Sequence, residues 1–519
     1  MRRTYSGALD RPVSAEAGWR AGVYSARRTG RRHRSLGSYV SDVTHAGLAG
    51  HRDPDIQQTR ALRNSTAPGP HAGDTMAVLD TGERSLEART IRKLGIRIVP
   101  FLMALYFVNY LDRTNLGIAR ADISAHLQLT ATMFGLASGI FFIGYVLVEV
   151  PSNLALDRYG ARRWLARIAV SWGIVVVATG FAPNATTLLV LRFLLGVAEA
   201  GLFPGVIYYL SRWFPRDYRA RVVALFMMAS PIAAALGTPL AAWLIHLGNG
   251  VFGLAGWQFM MIAVGVPAIV LGFACWYYLV DRPGDAAWLE PDERQWLVDT
   301  LAEEQRQVAG DFHFPLRRAL TSPRIWALAL VYFGIAYGLY ALTFFLPSII
   351  SGFKKSFGID FSIVQVGLIA AIPYTCAAVA MYLWSRHADA TGEQVWHVAV
   401  PMLLGGLAIP VALHLHTPVL VMVAVAITAM GVFAAIPSFW ALPSNFLTGT
   451  AAAGAIGLIN SVGNLGGFAA PYLTGALEQV TGTDKAGMWA VGAMMLMSAF
   501  VVVLLRAVPG SPTAAERPN

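Results

Sequence analysis

Four ionisable residues lie in apolar stretches that are long enough to cross a membrane. Asp112 and Arg113 are adjacent in one stretch, and Arg192 precedes Glu199 by seven residues in another. An ionised side chain near the centre of a bilayer costs from about 3 to more than 10 kcal/mol, so such residues usually face a bundle interior or an aqueous cavity. A guanidinium matches a carboxylate in bidentate geometry, and a buried carboxylate can exchange a proton. These residues therefore indicate anion binding that is coupled to proton movement.

Arg113 is the first candidate for the residue that binds the anion, because its guanidinium stays charged at physiological pH. The alternative is a structural ion pair with Asp112 or another carboxylate. Tyr106 precedes Arg113 by seven residues, and Asn109 approaches the same side of the helix. We therefore predict that Tyr106 and Asn109 contact the substrate together with Arg113.

Glu199 and Asp112 are the candidate proton-coupling residues. Seven residues make nearly two helical turns, so Arg192 and Glu199 share a face but lie about 10 Å apart along the axis, too far to pair directly. Glu199 is flanked by two glycines, which let a neighbouring helix or a ligand approach closely. The alternative for Glu199 is a structural carboxylate that is buried by pairing with Arg113.

The second half of the chain offers neutral candidates for substrate contact, because its apolar stretches contain almost no ionisable residue. Buried amides must find hydrogen-bond partners in hydrocarbon, and two asparagines four residues apart share a helix face. The alternative for each is hydrogen bonding between helices. The candidates are Tyr332, Tyr337, Tyr340, Gln365, Tyr374, Asn445, Asn460 and Asn464, of which Tyr337, Asn460 and Asn464 are the predicted substrate contacts.

The composition predicts the elements that position these residues. Of 519 residues, 55% are hydrophobic and 13% are charged, and the mean hydropathy is +0.52, which excludes a soluble enzyme of this size. Counting each run of about 20 apolar residues as one span predicts an all-α polytopic membrane protein with twelve transmembrane helices in two six-helix halves. The spans lie near 96–116, 134–156, 163–182, 184–209, 221–246, 256–280, 325–350, 362–385, 395–415, 418–440, 452–476 and 486–507.

The polar segments give the predicted domain boundaries. Residues 1–90 are predicted to be a disordered basic tail, with Met76 as a candidate for the true initiator. The first half spans 91–280, a cytoplasmic linker spans 281–324 with a surface helix from about Pro291 to Val308, the second half spans 325–507, and 508–519 form a short cytoplasmic tail. Residues 1–75 hold twelve Arg and six acidic residues, so much of the net charge of +10 lies in the tail and does not indicate a nucleic-acid partner.

Short loops carry the candidate gating residues. The Arg-rich loops after spans two and four are placed in the cytoplasm by the positive-inside rule, and the even number of spans places both termini there too. Asp389 and Gly392 after span eight repeat two residues of the first loop at an offset of 232 residues, which favours a duplicated six-span unit. The predicted gating residues of the first half are Glu149, Asn153, Asp157, Arg158, Gly160, Arg162 and Arg163.

These motifs resemble the major facilitator superfamily and, more narrowly, its anion:cation symporter family, in particular tartrate, phthalate and hydroxyphenylacetate permeases. The resemblance covers about residues 90–507 and implies that the first-span acidic residue and Glu199 are protonation sites. Asn153 stands where the superfamily's loop motif usually has Gly, and the second-half copy SRHADATGEQ has a weaker basic cluster. The motifs are YLDRTNLGIA, GYVLVEVPSNLALDRYGARRWLAR, RFLLGVAEAGLFPG, DRPGDAAWL and GLINSVGNLGGFAAPYLTG.

The predicted function is secondary active transport. The protein would import an organic anion, such as tartrate, phthalate, a sugar acid or an aromatic acid, together with protons by alternating access, as a monomer in the lipid bilayer of the cytoplasmic membrane. The alternatives are an exporter or drug/proton antiporter of the same fold, and a transporter-like sensor. No P-loop, Rossmann, nucleophile-elbow or zinc signature occurs, so no enzyme activity, cofactor or metal site is predicted.

Overall fold

The computed structural model describes residues 72–309, 321–444, 449–483 and 485–506, and these residues fold into helices joined by short connections. The first half contains α1 (Ala72–Ile118), α2 (Arg120–Leu127), α3 (Ala131–Tyr159), α4 (Ala161–Thr179), α5 (Ala185–Glu199), α6 (Leu202–Ser211), α7 (Arg216–Met227), α8 (Ala229–Gly248) and α9 (Gly256–Tyr278). The linker contains α10 (Pro291–Ala309). The second half contains α11 (Pro323–Ser351), α12 (Phe353–Phe357), α13 (Ile363–Thr391), α14 (Val395–Ala412), α15 (Pro418–Ser444), α16 (Gly449–Thr481) and α17 (Lys485–Arg506).

The predicted spans coincide with these helices, and the all-α architecture is confirmed. Helices α5 and α6 form the fourth span, and α7 and α8 form the fifth. Within the described ranges, ten spans are long and apolar enough by themselves to cross a membrane. The other two are α4, whose first turns carry three arginines, and α16, which is rich in Gly and Asn. Both pack against other spans, α4 against α9 and α16 against α3 and α11.

Helix α1 extends further towards the amino terminus than the predicted start of the first span near residue 96. It begins at Ala72, and the predicted tail boundary at residue 90 stays a prediction. The part of α1 that precedes the span is anchored on the linker helix α10. Arg89 donates to the Asp292 carboxylate at 2.7 Å, and Lys93 donates to Glu293 at 2.9 Å. The predicted disorder of residues 1–71 and the predicted tail at 508–519 fall outside the residues that the structure describes, and the assignment of Met76 as initiator stays a prediction.

The two halves touch where glycines let helices approach closely. A Cβ atom on Gly135 of α3 would lie 2.3 Å from the carbonyl oxygen of Pro471 in α16, and one on Gly367 of α13 would lie 3.0 Å from that of Thr238 in α8. A larger residue at Gly135 would therefore force the backbones apart. These contacts hold the halves together at one end of the bundle, next to its charged centre.

The anchor of α1 on α10 leads to a pH-dependent prediction. Burial alone would raise the pKa of the Glu293 carboxyl, but hydrogen bonds from Lys93 and from the Glu290 amide, together with the charges of Lys93 and Arg89, hold this pKa below its ordinary value of 4.5. A carboxyl with a lowered pKa stabilises the folded contact at neutral pH, and that stabilisation is lost as pH falls through the folded-state pKa. We expect α10 to separate from α1 below about pH 4.5.

A pair of spin labels, one on α1 and one on α10, measures this separation. Because Arg89 and Lys93 are 48% and 36% exposed, the anchor should contribute only about 1 kcal/mol. A Glu293→Gln variant should show a looser contact at pH 7 and little further change at pH 3.5. A wild-type distance that is identical at both pH values would contradict the prediction.

Candidate functional site

The centre of the bundle holds a buried ion pair between α1 and α5. Arg113 donates from Nε to Glu199 Oε1 at 3.2 Å and also from Nη2 to the same oxygen, while its Nη1 donates to the hydroxyl of Tyr340 on α11 at 2.5 Å. Arg113 is 8% exposed and Glu199 is fully buried. The structure thus contains an ion pair between Arg113 and Glu199, which is the structural alternative that the sequence leaves open for both residues. One guanidinium joins the two halves.

Glu199 is placed by a break in the fourth span. Helix α5 ends at Glu199 and α6 begins at Leu202, while Gly201 between them has φ +90°, which a residue with a side chain rarely adopts. A Cβ atom there would also approach the hydroxyl of Ser152, which donates to the carbonyl of Ala200 at 2.6 Å. The Glu199 carboxylate therefore lies at the negative end of the α5 dipole, where a cation partner stabilises it.

Aromatic rings surround the guanidinium of Arg113. Its central carbon lies 5.4 Å from the ring centroid of Phe141, 5.8 Å from that of Tyr145 and 5.9 Å from that of Tyr340. Rings at these distances stabilise a cation through their π faces and exclude water around it. The predicted contact Tyr106 packs its ring on Phe226, with centroids 4.8 Å apart. The ion pair is therefore held in an apolar environment in which charge interactions are strong.

Arg192 is a second buried cation, and it has no carboxylate within 4.0 Å among the described residues. Its side chain is 3% exposed, its Nε donates to the carbonyl of Ala137 at 3.2 Å, and its guanidinium lies 5.4 Å from the Phe141 ring. The expectation that Arg192 does not pair with Glu199 is therefore consistent with the structure. A buried cation without a direct ion-pair partner is costly, so this position favours an anionic ligand.

Asp112 points away from Arg113 and contacts α4. Trp172 donates from its indole Nε1 to Asp112 Oδ2 at 2.5 Å, and both side chains are buried. Oδ1 of Asp112 and Oε2 of Glu199 are buried with no hydrogen-bond partner among the described residues. The side-chain nitrogen of the predicted contact Asn109 has no partner there either. Two carboxylate oxygens are thus free to accept a proton.

A second contact between the halves joins Glu149 of α3 to α16. Asn460 donates from Nδ2 to Glu149 Oε1, and Ser461 donates to Oε2 at 3.2 Å. Glu149 was expected at a gate, and Asn460 was expected to contact substrate. In this conformation Asn460 bonds to Glu149, and its role with substrate stays a prediction. Asn464, four residues further along α16, is equally buried and has no hydrogen bond among those described.

Several of the predicted loop residues line a polar surface pocket of about 320 Å³. Tyr208 donates to the Asp157 carboxylate and accepts from Arg212 at 2.6 Å. The backbone amide of Arg162 donates to Asp281 at 2.8 Å, and Gly160 ends α3 with φ +89°. The residues on the pocket wall include Asp157, Arg158, Gly160 and Arg163, while Asn153 lies one turn earlier and donates to the carbonyl of Glu149.

The second-half copy of this loop also ends its helix at a glycine. Gly392 ends α13 with φ +67°, and its amide donates to the carbonyl of Ala388 at 2.9 Å. Asp389 is exposed. The structure therefore keeps the turn at Gly392, whereas the predicted gating role of Asp389 stays a prediction.

Tyr340 and Trp172 are the contacts that the sequence did not single out. Tyr340 is one of three tyrosines in the seventh span. The sequence predicts that Tyr337 contacts the substrate, and this residue is fully buried three residues earlier in α11. Trp172 lies in a predicted apolar span, and nothing in the sequence around it indicates a contact with Asp112. The predicted candidate Asn445 falls outside the described ranges.

A twelve-span bundle in two halves, with buried charges where the halves meet, defines a polytopic membrane transporter. Residues 102–471 match the model of the Major Facilitator Superfamily, and the chain belongs to this family. The predicted family resemblance is confirmed, and the protein is a transporter of small molecules and not an enzyme.

Two relatives and one solved structure show how far the similarity extends. The chain is 45% identical over 431 residues to an Agrobacterium vitis protein named "Putative tartrate transporter", covering 83% of this chain and 94% of that protein. It is 36% identical over 421 residues to the "Quinolone resistance transporter" of Acinetobacter baumannii, covering 81% and 96%. Its fold is similar to the crystal structure of a bacterial homologue of the human lysosomal transporter Spinster in an inward-facing and occupied conformation, with a TM-score of 0.61, 17% identity and coverage of 79% and 96%.

The contact of Glu149 with α16 gives a prediction on stability. An Asn460→Ala variant removes the amide donor and leaves a buried carboxylate oxygen unpaired, which should lower the free energy of unfolding by about 1–3 kcal/mol. Thermal unfolding in detergent measures this loss. Asn464→Ala is the matched control, because Asn464 has the same burial and no described hydrogen bond. Equal midpoints for the two variants would contradict the assignment.

Proposed function

We propose that this protein is a proton-coupled symporter that imports an organic carboxylate across the cytoplasmic membrane by alternating access. The observation that carries the proposal is the pair of Arg113 and Glu199. A cation suited to a substrate carboxylate is already bound to a carboxylate that can be protonated. Both residues are buried, so neither can change its partner without a compensating charge.

The proposed coupling is an exchange of partners at Arg113. A proton binds to Oε2 of Glu199, the oxygen without a hydrogen bond, and the carboxyl becomes neutral. The attraction that holds Glu199 to Arg113 is then lost, and the substrate carboxylate takes its place on the guanidinium. Each event favours the other, because a proton without substrate leaves Arg113 unpaired and substrate without a proton places two carboxylates on one cation.

Arg192 extends this proposal to substrates with more than one anionic group. Its guanidinium has no carboxylate partner in the described chain, and it lies over the same Phe141 ring as Arg113. We propose that Arg192 binds a second carboxylate or another anionic group of the substrate. A dicarboxylate such as tartrate or phthalate would satisfy both cations, and the tartrate name of one relative favours this class.

Charge balance sets the expected stoichiometry. Asp112 and Glu199 carry two negative charges and Arg113 and Arg192 two positive ones, so these four side chains are neutral together; Glu149 is left out of this count because its carboxylate bonds to Asn460 and Ser461. A loaded site stays neutral if each carboxylate of the substrate arrives with one proton, and neutral states reorient in a membrane at the lowest cost. The free oxygens on Asp112 and Glu199 provide two places for these protons.

The alternative function is export by proton antiport with the same residues, and the relative named for quinolone resistance is the observation that favours it. In that case protons would compete with the substrate for the site. The direction of substrate movement under an imposed pH gradient distinguishes import from export.

The bacterial relatives support a cytoplasmic-membrane location. We further propose that both termini are cytoplasmic and that the protein acts as a monomer.

An Arg113→Lys variant tests the anion site. Lysine keeps the charge but cannot form the two-pronged contact with a carboxylate, so uptake of radiolabelled tartrate or phthalate into proteoliposomes should fall at least about tenfold, which corresponds to about 1.4 kcal/mol. Arg306→Lys is the control, because Arg306 is 75% exposed on the linker helix. Near-normal uptake by Arg113→Lys, with the protein present in the membrane, would contradict the assignment.

A Glu199→Gln variant tests the coupling. The amide imitates the protonated carboxyl, so substrate should still bind and exchange across the membrane, whereas accumulation driven by a pH gradient should be lost. Counterflow and gradient-driven uptake, measured on the same proteoliposomes, separate these steps. A variant that still concentrates substrate in response to a pH gradient would exclude Glu199 as the essential proton carrier.

A further inference from the structure

Asp112 has one polar partner in the described chain, and that partner lies on a helix that the transport proposal does not use. The indole Nε1 of Trp172 on α4 donates to Asp112 Oδ2 at 2.5 Å. Trp172 is fully buried and Asp112 is 3% exposed. We infer that Trp172 is a positioning residue, which holds the Asp112 carboxylate so that Oδ1 is the oxygen that takes up a proton. The inference rests on the proposed proton coupling and assigns the residue that sets its pH range.

The charged residues near Asp112 do not bond to its carboxylate directly, so the indole of Trp172 is the group that positions it. On its own helix, Asp112 is next to Arg113, whose three donor nitrogens are bonded to Glu199 and Tyr340. From α5, Arg192 and Glu199 act on Asp112 electrostatically. Arg192 forms no ion pair with Asp112, and Glu199 forms no hydrogen bond with it, among the described residues. Helices α8 and α9, which also pack on α1, carry no Asp, Glu, Lys or Arg.

An indole is suited to this task because it donates a hydrogen bond and does not titrate in the physiological range. It stabilises the carboxylate without neutralising it. When a proton binds to Oδ1, an O–H bond forms there, and Oδ2 can still accept from Nε1. Asp112 therefore keeps its position in both protonation states. A cation in place of Trp172 would instead hold Asp112 permanently ionised.

A close contact between α4 and α9 restricts the position of Trp172. A Cβ atom on Gly173 would lie 2.8 Å from the carbonyl oxygen of Gly265, and one on Gly265 would lie 2.8 Å from that of Gly173. A Cβ atom on Gly272 would lie 2.8 Å from the amide nitrogen of Val170. These glycines let the two backbones touch, so α4 has little freedom to withdraw the indole from Asp112.

A Trp172→Phe variant removes the donor and keeps an aromatic side chain. The ionised form of Asp112 then loses its hydrogen bond, while the protonated form loses less, so proton uptake should occur at higher pH. A hydrogen bond to a charged group corresponds to a shift of about one to two pH units. Two measurements report it: the pH profile of gradient-driven tartrate uptake, and the pH midpoint of the infrared carboxyl band that disappears in Asp112→Asn.

Trp257→Phe is the matched control. Trp257 on α9 is also fully buried, but its indole nitrogen has no partner among the described residues. This variant should keep the wild-type midpoint. Trp172→Gln, which retains an N–H donor, should move the midpoint less than Trp172→Phe and provides a second comparison if the phenylalanine variant does not fold. In the Asp112→Asn background, Trp172→Phe should have no further effect on the pH profile.

The outcomes separate this inference from the proposed function. If wild-type protein shows no gradient-driven uptake, the proposed symport fails, whereas the infrared midpoint still tests the action of Trp172 on Asp112. If wild-type protein is proton-coupled but Trp172→Phe keeps the wild-type midpoint in both measurements, the inference is wrong. A shift of equal size in Trp257→Phe or in Trp172→Gln would also overturn it.

Discussion

The free energy of an unpaired charge in an apolar interior constrains the whole arrangement. Asp112, Arg113, Arg192 and Glu199 lie in spans where water cannot solvate them, and each is stabilised in a different way. Arg113 and Glu199 neutralise each other, Asp112 accepts from an indole, and Arg192 donates to a backbone carbonyl. The charges of Asp112 and Arg192 are not neutralised in this way, because a neutral hydrogen-bond partner does not cancel a charge. This arrangement is consistent with the proposed binding of an anion and a proton.

The helices are shaped to create these contacts. The break at Gly201 ends α5 at Glu199 and directs the carboxylate towards α1. Glycines such as Gly135 and Gly173 remove side chains where helix backbones must touch, both between the halves and within the first half. Such contacts suit a protein whose halves rock against each other, since small residues allow two flat helix faces to meet and separate without interlocking side chains.

The sequence predicts the spans well because most of them are continuous apolar runs, and it predicts the charged residues of the candidate site because they are the exceptions within those runs. It predicts their partners less well. Tyr340 and Tyr337 lie on the same helix, and only tertiary packing decides which hydroxyl reaches Arg113. Trp172 carries no signal in an apolar span, because its role depends on one N–H group facing Asp112. The contact of α1 with α10 is not evident from the sequence for a similar reason, since its two sides lie about 200 residues apart in the chain.

The unequal distribution of charge between the halves has a mechanical consequence in the proposed cycle. All four site charges come from the first half, and the second half reaches them through the neutral hydroxyl of Tyr340 at 2.5 Å from Arg113. Rocking of the halves can break this hydrogen bond without separating the four site charges from one another, which would be far more costly in an apolar interior. A substrate on Arg113 would meet the same hydroxyl. In the proposed cycle, Tyr340 can therefore couple substrate binding in the first half to the position of the second half, so that substrate binding favours closure of the site.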